Sequence, residues 1–247
     1  MHVVSSSGCK VKRITVLNSK GGCGKSMLAT NLAALYAGQG LRTTLIDYDP
    51  LGSARNWLKK RPEDLPIIQG IDASKPNPGK TRTFQLRVPV GTDRLIIDTP
   101  AGVSGFELND FVLHTDYVLI PVVPSESDIN GTARLISELL LNVKVRRIAV
   151  RVGVVTNRVR KNTRILERLN RFLAQVDFPV ITTLRDTQNY VNAESQGKGI
   201  HELYPPSLVK RDIEHIKTLL SAIEEDSCWA TEAENAIKSN EAWPRIN

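Results

Sequence analysis

A chain of 247 residues with 41% hydrophobic residues suits one large α/β domain. Folding at this size buries about three quarters of the unfolded chain's surface, so no second core is required. The 33 Lys and Arg against 26 Asp and Glu leave a formal charge of +7, which favours a polyanionic partner but also serves solubility. Cys9, Cys23 and Cys228 are far apart and odd in number, which argues against both a disulfide framework and a C-x-x-C zinc site. No basic segment leads into a long apolar run at the start, and no run approaches the length of a spanning helix. A reducing, cytoplasmic setting is the expectation.

After a lead-in over residues 1–12, the β-formers of 13–18 end in a glycine-rich turn and a helix over 27–37 follows, with Leu28, Leu32 and Leu35 on one face. The turn, Ser19-Lys20-Gly21-Gly22-Cys23-Gly24-Lys25-Ser26-Met27, reads as a phosphate cradle. Gly21, Gly22 and Gly24 let the backbone approach an anion, and the N–H groups opening the helix point the same way. Lys25 is then placed for the β- and γ-phosphates and Ser26 for Mg²⁺, with Cys23 and Met27 among the nucleotide contacts. The strict G-x-x-x-x-G-K-[ST] pattern is departed from at Ser19, while strand, helix and Gly-Lys-Ser are intact.

A short buried strand over 43–47 closes on Asp47-Tyr48-Asp49-Pro50, where open α/β sheets bind their ligands. The same acids also suit a simpler task, capping the helix at 53–60. Residues 61–91 are rich in Pro and Gly and read as a variable surface element. The strand Leu95-Ile96-Ile97-Asp98 ends in an acid, as a Walker B segment does when it holds Mg²⁺ through water, and Gly102 lies where a switch loop donates an N–H to the γ-phosphate.

Residues 117–123 form a further apolar strand, 129–141 a helix and 148–156 a strand running into Asn157-Arg158. The helix over 162–176 turns Ile165, Leu166, Leu169, Phe172, Leu173 and Val176 to a core, with Arg164, Arg168 and Arg171 on another face. From Lys144 to Arg171 the basic residues, Arg158, Arg160 and Lys161 among them, meet only Glu167 as an acid. That density suits a phosphate backbone, and a solvated face is the plain alternative. A last strand over 178–182 leads into Leu184-Arg185-Asp186, a short helix over 190–195, Lys198, and a helix over 206–223 carrying Lys210, Arg211 and Lys217. The rhythm predicts a three-layer α/β fold: a doubly wound, mostly parallel sheet with helices on both faces, as one domain over 13–223. Residues 224–247 read as a polar, acidic tail holding Trp229 and Trp243.

Lys-Gly-Gly-x-Gly-Lys-Ser, with Lys20 five residues ahead of Lys25, resembles the deviant Walker A box of the ParA/MinD family of P-loop ATPases, and the segment from Asp47 resembles its D-x-D-P-Q, with Leu51 in place of Gln. The resemblance covers about residues 13–223 and implies an ATP- and Mg²⁺-dependent ATPase that forms a sandwich homodimer, in which Lys20 reaches the partner's phosphates. It further implies that Asp49 orients the attacking water, that Asp47 supports the Mg²⁺ shell with Ser26 and Asp98, that Asn157 and Arg158 meet the adenine, and that Leu184 to Asp186 runs past the base. On the same ground a small ParA-type member coats nucleoid DNA non-specifically. Arg158, Arg160, Lys161, Arg164, Arg168, Arg171, Lys198, Lys210 and Arg211 are the candidate contacts. Such a member is released when a ParB-like or McdB-like adaptor on a plasmid, chromosome or carboxysome stimulates hydrolysis. With no helix-turn-helix ahead of the first strand, operator binding is not expected.

A MinD-like membrane switch is the alternative, but it needs a basic amphipathic C-terminal helix, and from Glu224 onward acids outnumber bases. Lys20 speaks against a dethiobiotin synthetase, and the lack of paired cysteines after Asp98 against an iron–sulfur reductase.

Overall fold

The computed structural model describes residues 11–75, 87–145, 148–225 and Trp229. Seven strands form one sheet in the order β3-β2-β4-β1-β5-β6-β7, every neighbouring pair parallel. They are β1 (Lys12–Val16), β2 (Thr43–Asp47), β3 (Ile68–Asp72), β4 (Arg94–Asp98), β5 (Tyr117–Val122), β6 (Arg151–Val159) and β7 (Val180–Arg185). Strands β2, β4 and β5 are buried along their whole length, because helices cover both faces of a parallel sheet and leave no polar side to alternate with.

The crossover helices divide by direction of travel, as right-handed connections require. Helices α1 (Lys25–Gly38) and α2 (Ser53–Lys60) carry the chain from β1 out to β3, whereas α3 (Gly105–Leu113), α4 (Glu126–Leu141) and α5 (Arg164–Leu173) carry it from β4 out to β7. Returning helices α6 (Gln188–Ser195) and α7 (Pro206–Glu225) share one apolar layer with α1 and α2, while α3, α4 and α5 fill the other. In α1 every residue from Leu28 to Ala37 is buried, since the helix lies under the middle of the sheet and its alanines allow close approach.

Three expectations are corrected. The 61–91 stretch contains β3, an edge strand whose side chains are mostly exposed and whose pairing with β2 runs from Thr43↔Ile68 to Asp47↔Asp72. The last two strands run further than expected, to Val159 and Arg185, so Asn157, Arg158 and Leu184 lie within strands. The boundary at 223/224 falls inside the packed domain. Glu224 accepts from Arg94 Nη2 at 2.6 Å, Arg94 Nε at 3.0 Å, Lys12 Nζ at 3.0 Å and Tyr36 Oη at 3.0 Å. Trp229 is buried edge-on to Tyr117 and donates to the Ala222 carbonyl at 2.7 Å. Cys9, Cys228 and Trp243 lie outside the described residues.

Desolvation pushes the Glu224 carboxyl up, but the bonds from Arg94 and Lys12 outweigh it and hold the group below its usual value. A carboxyl depressed on folding contributes stability that is complete above its unfolded value and lost as pH falls through the folded one. Glu224→Ala is expected to cost about 2 kcal/mol at neutral pH, since Arg94 would stay buried without its acid. Urea denaturation should show that loss at pH 7 and little difference between parent and variant in acid.

Candidate functional site at the carboxyl edge of the sheet

Parallel pairing places the ends of β1, β2, β4, β5, β6 and β7 along one edge, where the loops can converge on a ligand. The loop after β1 doubles back through Gly22 (φ 79°) and Gly24 (φ 99°), both left-handed. A Cβ at Gly24 would stand 2.1 Å from Asn157 Nδ2, so glycine is required there for space as well as for φ. The turn is braced from within. Asn18 Oδ1 accepts from the Lys20 N–H at 3.1 Å, Lys25 Nζ donates to the Lys20 carbonyl at 3.0 Å, and the Gly102 N–H donates to the Ser19 carbonyl at 2.8 Å. The expected free N–H at Gly102 is therefore engaged with the turn itself. Cys23 is buried, and burial raises its thiol above the usual value, so it is an inert packing residue.

Lys20 lies against α4, where a Cβ on Gly131 would sit 3.8 Å from its own Cβ. Among the described residues, its ammonium has no hydrogen-bond or ion-pair partner.

The two acids at the ends of β2 and β4 differ in kind, although pairing sets them side by side, Asp47 opposite Asp98. Asp47 is committed: Oδ1 accepts from the Asp49 N–H and Oδ2 from the Arg55 N–H, each at 2.9 Å, so it caps α2. This is the simpler task its position allowed, and each oxygen keeps a further lone pair for the expected support of a cation shell. Asp98 is fully buried, and neither of its oxygens makes a hydrogen bond of good geometry, although the Ser26 hydroxyl stands near enough to pull on the carboxyl. Burial, then the negative charges of Asp47 and Asp49, push its carboxyl up to about 7 against the opposing pull of Ser26 and Lys25. A bare buried carboxylate beside a hydroxyl and an ammonium fits a hydrated divalent cation, which would satisfy its orphaned oxygens. Asp49 is half-buried, and its Oδ1 accepts from the Leu51 N–H at 2.9 Å in a tight turn.

Beside the cradle opens a cleft of about 640 Å³ lined by Met27, Asn157, Arg158, Asp186, Thr187 and Tyr190 among others. Asn157 is at this site with half of its amide engaged, Nδ2 donating to the Cys23 carbonyl at 2.8 Å and Oδ1 accepting from the Arg158 N–H at 2.8 Å. The structure thus makes it a brace of the phosphate turn. A register shift between Thr156 and Val159, with Arg158 at φ 51°, turns the side chain inward. Leu184 is fully buried in the core and does not line the cleft, a correction; Arg185, Asp186 and the start of α6 do. The α6 lining and the Asn18 brace escaped the sequence reading, and the asparagine closing β1 was the available signal for the latter.

The nine basic candidates are divided between the two helix layers. Arg158, Arg160 and Lys161 cluster at the end of β6 next to α5 with Arg164, Arg168 and Arg171, all exposed. Lys210 and Arg211 stand on α7, in the layer across the sheet, and Lys198 is half-buried with its carbonyl accepting from Trp57 Nε1. Within the first group Arg160 pairs with Asp186 at 2.6 Å and Arg168 with Glu126 at 2.8 Å.

Comparison with known proteins places this geometry. The model of the CobQ/CobB/MinD/ParA nucleotide binding domain matches residues 14–200. The chain is 26% identical over 199 residues to the Maintenance of carboxysome distribution protein A of Halothiobacillus neapolitanus, covering 78% of this chain and 88% of that one. It is 27% identical over 228 residues to the Chromosome-partitioning ATPase Soj of Thermus thermophilus, covering 80% and 90%. An ATP complex of Cyanothece McdA superposes with a TM-score of 0.63 at 19% identity, covering 86% of this chain and 97% of that one, which shows the shared fold. A glycine turn between a parallel strand and a buried helix, a bare acid on the neighbouring strand and the match over residues 14–200 together make this chain a member of the CobQ/CobB/MinD/ParA nucleotide-binding family.

Proposed function

We propose that the chain is a switch ATPase that binds ATP with Mg²⁺, dimerises on it, binds double-stranded DNA without sequence preference, and positions a cargo through an adaptor that stimulates hydrolysis. One observation carries this reading. Lys20, within the phosphate turn and with its Cβ against α4, has an ammonium with no partner among the described residues, while Lys25 is folded into its own loop. An ammonium without a partner beside a phosphate cradle suits a charge from a second ATP-bound subunit across a two-fold axis. The names of the matching relatives, for carboxysome distribution and chromosome partitioning, support a positioning role. No helix among the described residues is long and apolar enough to cross a membrane.

In this reading Ser26 and Asp98 hold Mg²⁺, Asp98 through water, and the ion neutralises charge on the phosphates when bound. Asp49, anchored by one oxygen, keeps the other for orienting the attacking water. DNA contacts are assigned to the surface formed by the end of β6 and by α5. Arg158, Lys161, Arg164 and Arg171 have no ion-pair partner among the described residues there, so a phosphate need not displace an acid to reach them.

Mg²⁺ must meet an ionised Asp98, so with the carboxyl at about 7, binding releases a proton and tightens as pH rises through that value. Calorimetric titration of Mg²⁺·ATP in buffers of differing ionisation enthalpy should show extra proton release below about pH 7 in the parent. Asp98→Asn should lose that extra release; equal release in both proteins would remove Asp98 from the cation site.

Binding to random-sequence duplexes should be strong in ATP and weak in ADP, because a dimer brings two basic surfaces to one duplex. The logarithm of affinity should fall with the logarithm of salt at about 0.9 per phosphate contacted. Arg164→Glu with Arg171→Glu should flatten that slope and weaken all sequences alike. Binding that is equal in ADP and indifferent to these arginines would overturn the DNA assignment.

A further inference from the structure

The register across β3, β2 and β4 sets three aspartates in a row: Asp72 opposite Asp47, and Asp47 opposite Asp98. Neighbouring strands lie about 4.8 Å apart, so three carboxylates here repel one another unless cations intervene. On the Asp98 side stand Lys25 and Ser26. On the other side stands Arg55, the third residue of α2, which no motif singles out.

Arg55 is engaged through both of its Nη groups and its backbone N–H, while its buried Nε makes no hydrogen bond. Its Nη1 donates to Asp72 Oδ2, and its Nε lies 3.4 Å from Asp47 Oδ2 as an ion pair. Its Nη2 donates to the Asp49 carbonyl at 3.3 Å and to the Pro50 carbonyl at 3.5 Å, and its own N–H caps onto Asp47 at 2.9 Å. A Cβ on Gly52 would strike this guanidinium at 2.5 Å, so the left-handed glycine (φ 68°) keeps the space the side chain fills. Asp72 is itself oriented, its Oδ1 accepting from the Ser74 N–H at 3.0 Å and the Ser74 hydroxyl at 2.7 Å. The guanidinium therefore spans edge strand β3, its neighbour β2 and the turn bearing Asp49.

We propose that Arg55 is a positioning residue for hydrolysis: anchored on Asp72, it grips the Asp49-Pro50 backbone and so aims the Asp49 carboxylate at the water it orients. The proposal rests on the reading of Asp49 as the water-orienting acid. It makes edge strand β3 part of the hydrolytic apparatus, with Asp72 as its anchor. A lysine cannot replace the planar fork, since one ammonium carries the charge but does not reach an acid and two carbonyls together in fixed directions.

The test is single-turnover ATP hydrolysis alongside nucleotide affinity in Arg55→Ala, Arg55→Lys, Asp72→Asn, the double variant Arg55→Ala/Asp72→Asn and Asp49→Ala. A displaced catalytic group costs rate rather than binding, so Arg55→Ala should lower turnover by roughly ten- to a hundredfold with ATP affinity within about twofold of the parent. Arg55→Lys should recover only part of the rate. Asp72→Asn should lower turnover less than Arg55→Ala, and the double variant should match Arg55→Ala, because both substitutions break one linkage. Parental turnover in Arg55→Ala or Arg55→Lys, or additive losses in the double variant, with Asp49→Ala inactive, would overturn the role of Arg55 alone. Parental turnover in Asp49→Ala would instead overturn the reading of Asp49. Should Arg55→Ala fail to fold, Arg55→Lys and Asp72→Asn carry the same comparison of rate against affinity.

Discussion

A parallel sheet delivers the carboxyl ends of its strands to one edge, and here that geometry forces a set of charges together where little water reaches. Asp98 ends β4 fully buried, Asp47 ends β2 beside it, and Lys25 opens α1 with only 6% of its surface exposed. Charges so placed interact strongly and cannot be left uncompensated. The local architecture follows from that requirement: α2 is capped on Asp47, Arg55 covers the outer acids, and Lys25 folds onto its own loop. Asp98 alone in the acidic row has neither oxygen satisfied by a well-formed hydrogen bond, with only the Ser26 hydroxyl alongside, which is why the cation site is assigned there.

The same requirement explains how distant segments come to brace one short turn. Asn18 from the end of β1, Gly102 from the loop after β4 and Asn157 from β6 all bond to the phosphate turn or its flank. A preorganised turn loses less freedom when an anion arrives, so these braces act on affinity without touching the ligand. Helix α2 extends the brace across the molecule. Its first turn is tied to Asp47, and at its end Arg61 makes a bidentate, buried pair with Glu202 at 2.7 and 2.9 Å, next to the α6 segment that lines the cleft.

The central strands were legible because burial on both faces writes itself as an unbroken apolar run, as in the YVLIPV of β5. Strand β3 was not: its IQGID contains a glycine and an acid, and only its ladder to β2 makes it a strand. Helix α3, GFELNDFVL, also went unassigned, although Leu108, Phe111 and Val112 stand at helical spacing and are buried. At the site, residue types were readable but directions were not. Asn157 was expected at the base, yet the bulge at the end of β6 turns its amide into the phosphate turn. The basic residues were visible as a count, whereas their division between two faces depends on the handedness of the crossovers that set α5 and α7 apart.

The central claim is that the cradle is completed by a second copy of the chain through Lys20. Sedimentation velocity in a slowly hydrolysed ATP analogue with Mg²⁺ tests it directly. The parent should move from monomer to dimer on adding the analogue, and Lys20→Ala should remain monomeric while binding nucleotide as the parent does. A Lys20→Ala protein that dimerises as readily as the parent would contradict the account.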